Sequence, residues 1–138
     1  RAARERSRTL LERVGFTPAE TFQDRLPRQL SGGQQQRVDI ARALALDPQV
    51  LICDESVSML DAEVQAEVLS LLRTLQRDLG LALIFVTHDL TVASGFCHRL
   101  IVLDQGRIVE EGPGDRLFEA PQTDISRMLV DACPRLPA

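Results

Sequence analysis

The chain has 138 residues, 44% of them hydrophobic, which is enough for the core of one ordinary domain. Its formal net charge of −4 argues against the basic surface typical of a nucleic-acid-binding protein. No apolar run approaches the roughly 20 residues of a membrane-spanning helix, and no signal peptide is visible.

The basic residues and the cysteines narrow the possibilities further. All 16 basic residues are arginines. The three cysteines, Cys53, Cys97 and Cys133, are widely spaced and include no CxxC pair. A disulfide framework is therefore not expected, and a reduced cytosolic compartment is favoured. Because the first residue is Arg1 rather than methionine, we expect a fragment, or a chain whose beginning is missing.

The first third of the sequence predicts two helices around an irregular segment. Residues 2–14 fit a helix that ends at Gly15. Residues 17–29 contain two prolines and are expected to be irregular. A second helix should start where a serine precedes two glycines and cover residues 31–46, because Asp47-Pro48 follows.

The middle of the sequence alternates apolar runs with a long amphipathic segment. Residues 50–53 are apolar and lead into an acidic pair, which is typical of a buried parallel strand whose carboxyl end carries a site. Apolar residues recur at helical spacing over 62–79, and Gly80 ends that helix. Residues 83–86 predict a second buried strand.

The last third predicts smaller elements. A short helix is expected over residues 90–96. The apolar runs 100–103 and 107–109 flank Asp104-Gln105-Gly106, which is a hairpin signal. From residue 112 onward we expect one or two small helices, separated at Pro121.

The alternation of strands and helices indicates the α/β class, with a mainly parallel sheet and flanking helices. Ligands of such sheets bind at the carboxyl ends of the strands. Two predicted strands end in polar pairs, Asp54-Glu55 and His88-Asp89. These pairs form a candidate site independently of any family.

Each candidate residue also has a purely structural explanation. Of the neighbouring carboxylates Asp54 and Glu55, one could hold Mg²⁺ through water and the other could polarise an attacking water. The pair could equally be a solvated loop or an acidic helix start. A lone His88 is more often structural than catalytic, and Asp89 could simply cap the next helix.

The serine and two glycines at residues 31–33 leave the same choice open. They could only cap the helix, since serine accepts a hydrogen bond from the helix start and glycine permits a turn. They could also place backbone N–H groups and the helix dipole against an anion, with glycine allowing a phosphate to approach closely.

Taken together, four motifs resemble one known family. Residues 30–34 read LSGGQ, residues 51–55 LICDE, residues 58–61 SMLD and residues 87–89 THD. In this order and spacing they strongly resemble the ATP-binding cassette (ABC) ATPases, and the resemblance covers essentially the whole chain. In that family they correspond to the signature motif, the Walker B strand with its glutamate, the D-loop and the switch histidine.

The resemblance implies a P-loop NTPase fold of ABC type and a role for each matching position. Asp54 would hold Mg²⁺ through water. Glu55 and His88 would be catalytic, Glu55 as general base or by polarising the attacking water, and His88 at the γ-phosphate. The residues that bind ATP held by the other subunit of a head-to-tail dimer would be Ser31, Gly32, Gly33 and Gln34, with Asp61 facing that subunit.

The chain departs from the family pattern in three places. The family's phosphate loop requires a lysine, and this chain has none. We therefore expect the phosphate-loop half of the cassette to be missing, and negligible ATPase activity from these residues alone. Ser56 stands where proline is usual and could alter the local backbone; Met59 replaces a common alanine. Neither change should abolish activity.

The resemblance also implies a division of the chain and a type of cassette. Residues 1–30 would end the helical subdomain, residues 31–111 would form the Walker B half of the core, and residues 112–138 would be a C-terminal helical extension. The tail is similar to that of peptide and nickel importer ATPases, although residues 123–126 read TDIS where that group has HPYT. The alternative is a generic helical tail packed on the sheet.

An importer ATPase would have defined partners and a defined location. The partners implied are a second ATPase subunit, identical or paralogous, and transmembrane permease subunits, with no nucleic acid. The location implied is peripheral, at the cytoplasmic face of the inner membrane. The rival hypotheses are a non-transport ABC protein acting on DNA or ribosomes, and an inactive truncated cassette with a structural role. The DNA-associated type would contain sustained heptads or paired CxxC motifs, and this sequence has neither.

Overall fold

The computed structural model describes residues 1–133, which fall into two compact units, one of residues 1–84 and one that begins at Phe85. The division at residues 30 and 111 that the resemblance implies is not tested by this partition and stays a prediction. Among the described residues, no helix combines the length and the apolar character needed to cross a bilayer.

The first unit begins with helix α1, Ala2–Arg13, which ends before Gly15 as predicted. The segment expected to be irregular contains two short 3₁₀ turns, Ala19–Thr21 and Pro27–Gln29. Each turn starts at or directly after a proline, whose fixed φ suits the first position of a helical turn.

Helix α2, Gly32–Leu44, follows the second 3₁₀ turn and ends two residues earlier than predicted. The Arg6 guanidinium of α1 donates a hydrogen bond to the Ala45 carbonyl at 2.8 Å and pairs with the Asp47 carboxylate at 2.5 Å. This contact satisfies the Ala45 carbonyl just past the end of α2. The helix does not continue because Asp47 has φ +49° and precedes Pro48.

Helix α3, Ala62–Leu79, has the predicted bounds. Asp61 caps its start, and Gly80, at φ +65°, ends it in the left-handed conformation that glycine tolerates. Its buried side chains Val68, Leu72 and Leu75 recur at spacings of four and three and form one apolar face.

Strands β1, Val50–Asp54, and β2, Ala82–Val86, pair in a two-stranded parallel sheet. The prediction that both strands are buried was wrong. In β1, Leu51 and Cys53 are buried but Ile52 is 65% exposed, and in β2 Ile84 is 52% exposed. An apolar run makes a strand suitable for burial on both faces. Whether both faces are buried depends on the elements that pack against them.

The second unit contains helix α4, Leu90–Phe96, as predicted, followed by the antiparallel pair β3, Arg99–Asp104, and β4, Arg107–Pro113. Gln105 and Gly106 connect the strands at φ +45° and +76°, the backbone of a tight hairpin turn. The hairpin prediction is confirmed, and it makes this small sheet antiparallel. The core of the unit consists of buried Leu90, Ala93, Leu100, Val102 and Leu117.

Two short helices form the tail, α5, Gly114–Glu119, and α6, Asp124–Asp131, as predicted. Glu110 of β4 fixes the start of α6, because its carboxylate accepts hydrogen bonds of 3.0 Å from the Gln122 and Thr123 N–H groups and from the Thr123 hydroxyl. The pKa of Glu110 is lowered to about 2, most strongly by the Ser126 hydroxyl and further by the bonds from Gln122 and Thr123.

Candidate functional site

The turn before α2 is a helix cap built from side chains. The Ser31 hydroxyl accepts a hydrogen bond from the Gln34 N–H at 3.3 Å, and the Gln34 side-chain oxygen accepts one from the Ser31 N–H at 3.0 Å. Gln35 ties this turn to the preceding 3₁₀ turn by donating to the Pro27 and Leu30 carbonyls. The capping explanation of residues 31–34 is therefore realised, and it leaves the adjacent N–H groups of the helix start in place for an anion.

The two glycines of this turn have different surroundings. Gly32 is exposed, whereas Gly33 is buried. A Cβ atom on Gly33 would lie closer than 3.0 Å to the Val64 side chain, a separation that real Cβ atoms do not show. Gly33 therefore has a packing reason to be glycine, in addition to any role near a phosphate.

Asp54 and Glu55 lie at the carboxyl end of β1, and both are exposed. Glu55 has φ +49°, a left-handed conformation uncommon for residues other than glycine. Its carbonyl accepts hydrogen bonds from the Ser58 hydroxyl at 2.9 Å and from the Ser58 N–H at 3.3 Å, which hold the turn. Ser56 permits this turn, whereas a proline at that position would restrict the Glu55 backbone further.

Asp61 is exposed and caps α3, because its Oδ1 accepts a hydrogen bond from the Val64 N–H at 3.0 Å. The first unit thus places three polar features on its surface: the capped turn at Ser31, the carboxylates after β1 and the cap at Asp61. The last two belong to one connecting segment, 54–61, between β1 and α3.

His88 belongs to the second unit, in the connection between β2 and α4. Asp89 caps α4 through a hydrogen bond of 3.1 Å from the Val92 N–H, and its own N–H donates to the Thr87 hydroxyl at 3.0 Å. The capping role considered for Asp89 is confirmed. The catalytic role of His88 stays a prediction.

The residues at the end of β1 suit Mg²⁺ because they offer carboxylate oxygens as ligands. Asp54 offers an exposed carboxylate at a strand end, and Mg²⁺ keeps several waters while taking only one or two protein carboxylates plus substrate phosphates. Within residues 1–133, no group of three or more His, Cys, Asp or Glu side chains forms a ready-made metal cage. A magnesium ion here would therefore depend on phosphate and water ligands.

Two features of this site have no signal in the amino-acid sequence. One is the left-handed backbone at Glu55, which a string of ordinary residues does not announce. The other is Val64, which lies 31 positions from Gly33 in the chain but meets it in the fold. Helix periodicity over 62–79 does place Val64 on the apolar face, but it does not identify the residue opposite.

Comparison with solved structures defines the class of protein. The chain matches cbiO1 from Clostridium perfringens, part of the ABC transporter complex cbiONQ, with a TM-score of 0.75 and 32% identity over 96% of this chain and 51% of the other. It matches the ATP-binding cassette MJ0796, solved as a dimer bound to ADP and Pi, with a TM-score of 0.66 and 38% identity over 80% of this chain and 46% of the other. The fold is that of a P-loop NTPase of the ABC type, as predicted.

Sequence comparisons give the family. The ABC transporter family matches residues 2–58. The nickel import ATP-binding protein NikE of Rhodospirillum rubrum is 50% identical over 97% of this chain. The glutathione import ATP-binding protein GsiA of Salmonella typhimurium is 47% identical over 96%, and a putative peptide import ATP-binding protein of Brucella abortus is 48% identical over 91%. The chain belongs to the ABC ATPase family, and these relatives are named as import ATP-binding proteins.

The chain spans only part of each of these curated relatives: 48% of the length of NikE, 37% of the Brucella protein and 21% of GsiA. It is therefore a partial cassette, as the sequence predicted. The family binds ATP, and its full-length members support ATP hydrolysis.

Proposed function

We propose that this chain is the Walker B half of the ATPase subunit of an importer. The subunit couples ATP binding and hydrolysis in an ATPase dimer to the uptake of peptide, nickel or a similar solute. The observation that carries the proposal is the order of the polar features in the first unit: a capped, glycine-opened helix start, then a strand ending in Asp54-Glu55, then Asp61. The names of the relatives favour import over a role on DNA or ribosomes.

Phosphoryl transfer requires positioning and charge stabilisation more than covalent assistance. In the proposed site, Asp54 would hold Mg²⁺ through water, and the bound ion would supply positive charge beside the phosphates. Glu55 orients the attacking water and accepts its proton, and His88 donates a hydrogen bond to the γ-phosphate. The exposure of Asp54 and Glu55 supports these roles, since both carboxylates are accessible to a nucleotide.

The turn at Ser31 acts on a different nucleotide in this proposal. Ser31, Gly32, Gly33 and Gln34 face the γ-phosphate of ATP held by the partner ATPase, and Asp61 faces that partner across the nucleotide. The exposure of Ser31, Gly32 and Asp61 supports this arrangement, since all three are accessible to a partner. ATP then joins the two subunits, and hydrolysis releases them.

The remaining assignments complete the proposal. Residues 1–30 end the helical subdomain, 31–111 form the Walker B half and 112–138 are the C-terminal extension. The permease subunits are the membrane partners, and the subunit lies peripherally at the cytoplasmic face of the inner membrane. Residues 134–138 of the extension lie outside the described residues.

Glu55→Gln in the full-length protein tests the catalytic assignment. The amide keeps the size of the side chain but cannot accept a proton, so we expect steady-state ATP hydrolysis to fall by about 10²- to 10⁴-fold, while ATP binding persists and an ATP-bound dimer accumulates. Phosphate release measures hydrolysis, and gel filtration in Mg-ATP measures dimer formation.

Two controls accompany this experiment. Glu63→Gln, an exposed glutamate in the first turn of α3, should leave hydrolysis unchanged. The isolated 138-residue chain should release no phosphate above background. Hydrolysis retained by Glu55→Gln would count against Glu55 as the catalytic carboxylate, and Mg-ATP turnover by the isolated chain would contradict the split of the site between two polypeptides.

A further inference from the structure

The two glycines of the turn before α2 lie against the two residues that flank the Asp61 cap. A Cβ on Gly32 would lie 3.4 Å from Leu60 Cδ2, and a Cβ on Gly33 would overlap Val64 Cγ1. Leu60 precedes Asp61 by one position and Val64 follows it by three. Both contacts lie within the first unit, so the start of α2 packs directly on the start of α3.

Val64 is held from two sides. Its backbone N–H donates to Asp61 Oδ1 at 3.0 Å, which is the hydrogen bond that caps α3. Its side chain occupies the space that the missing Cβ of Gly33 leaves. A displacement of Val64 away from α2 would therefore stretch the Asp61 cap, because one residue makes both contacts.

A second contact one turn further along fixes the same pair of helices. The Arg37 guanidinium of α2 pairs with the Glu67 carboxylate of α3 at 2.6 Å. Residues 33 and 37 are one turn apart on α2, and residues 64 and 67 are one turn apart on α3, so the two contacts are in register. The helix starts are thus in contact at two successive turns.

We propose that Val64 is a positioning residue that joins the Ser31–Gly33 turn to Asp61, so that both reach the partner-held nucleotide in one fixed geometry. This inference rests on the proposed function, in which both features face that nucleotide. It assigns to Gly33 a mechanical role distinct from phosphate approach. It also assigns a role to Val64, which belongs to none of the four motifs.

A double-mutant cycle in the full-length protein tests the contact. Gly33→Ala forces a methyl into Val64, so we expect kcat for ATP hydrolysis to fall at least about tenfold, with unchanged ATP binding at the phosphate loop of the same subunit. Val64→Ala removes the methyl groups that position Asp61, so it too should lower kcat, by about threefold, and a wild-type kcat would refute the positioning role. Combined with Gly33→Ala it should restore kcat to within about threefold of Val64→Ala alone.

The matched control is Val64→Thr, which keeps two branches at Cβ and therefore the steric overlap. Gly33→Ala/Val64→Thr should stay as slow as Gly33→Ala. All rates are expressed per folded molecule, measured by circular dichroism, because a purely structural role would lower the folded fraction without changing kcat of the folded protein. Amide exchange at position 64 reports the Asp61 cap directly and should accelerate in Gly33→Ala and slow again in the Gly33→Ala/Val64→Ala double variant.

The outcomes separate this inference from the function on which it rests. If Gly33→Ala/Val64→Ala stays as slow as Gly33→Ala, the added methyl acts on the phosphate itself; the role of Val64 is then refuted while the ATPase assignment stands. Rescue by Val64→Thr, or wild-type kcat in Gly33→Ala, also refutes it. If Gly33→Ala does not fold, recovery of folding and turnover in the Val64→Ala double variant supports the contact, and failure to recover refutes it. The ATPase assignment is judged separately by Glu55→Gln.

Discussion

Substituting Ser31 can separate the helix cap from the anion site, because the two roles require different chemistry. Capping needs an oxygen that accepts the Gln34 N–H, and serine, aspartate and asparagine all provide one. A phosphate contact needs a hydroxyl or N–H donor and no negative charge. Ser31→Asp therefore keeps the cap and opposes the phosphate, whereas Ser31→Ala removes the cap and adds no charge.

The two substitutions are expected to differ in their effects on stability and on turnover. Ser31→Ala loses the hydrogen bond from Gln34, and the usual cost of such a cap is about 1 kcal/mol. Ser31→Asp should leave the free energy of unfolding within about 0.5 kcal/mol, since a carboxylate also suits the positive end of a helix. A carboxylate about 4 Å from a phosphate charge costs roughly 1 kcal/mol in water and about 4 kcal/mol at an effective dielectric of 20. These energies correspond to losses in turnover of about fivefold to about a thousandfold.

Denaturant unfolding and steady-state phosphate release on the full-length protein measure the two quantities. Ser31→Asn is the matched control, because it caps as well as aspartate and carries no charge. We expect Ser31→Asp to be as stable as the wild type and much slower than Ser31→Asn, with ATP binding at its own phosphate loop intact. If Ser31→Asp and Ser31→Asn hydrolyse ATP equally fast, no phosphate approaches this helix start, and the turn is only a cap.

Two further predictions concern stability. Gly15→Ala should destabilise the chain by about 1–3 kcal/mol in denaturant unfolding, because Gly15 has φ +90° and a Cβ there would lie 2.6 Å from Arg37 Nη1. The control is Gly80→Ala, at φ +65° with nothing within 4 Å, which measures the cost of the left-handed backbone alone and should lose about 1 kcal/mol. Equal losses in the two variants would exclude a clash with Arg37. The pKa of Glu110 is lowered from 4.5 to about 2, so its contribution to stability is complete above pH 4.5 and is lost as the pH falls toward 2. Glu110→Gln should remove this acid sensitivity of α6, which amide exchange at Thr123 measures. Identical acid profiles for the variant and the wild type would contradict this prediction.

The elements that the sequence predicts well are those bounded by local chemistry. Helix α3 begins and ends as predicted because Asp61 is a strong cap and Gly80 a strong stop, and each acts on its immediate neighbours. The hairpin follows from Asp104-Gln105-Gly106 in the same way. The end of α2 was predicted two residues late because the N–H groups of Leu46 and Asp47 bond three residues back instead of four, so the last turn before Pro48 is no longer α-helical.

Burial of the strands illustrates the converse case. The residues of β1 are apolar on both faces, and the pattern predicts burial on both, yet Ile52 is 65% exposed while Leu51 and Cys53 are buried. Coverage of a strand face depends on which element packs there, and this is a property of the assembled sheet rather than of five residues. The anchoring of α6 by Glu110 is likewise invisible in the sequence, since it joins residues 12 and 13 positions apart across a strand and a helix cap.

The candidate site divides along the same line, and Gly33 shows why. Each motif consists of neighbouring residues that can be read directly from the sequence. The candidate residues Ser31, Asp54, Glu55 and Asp61 could therefore be chosen from it. A glycine in a motif, however, is compatible with every reason for lacking a Cβ: a turn, a bound phosphate or a neighbouring side chain. Only the position of Val64 in the fold adds the third reason. Because all three reasons favour the same residue, only substitutions that relieve one constraint and leave the others intact can distinguish them.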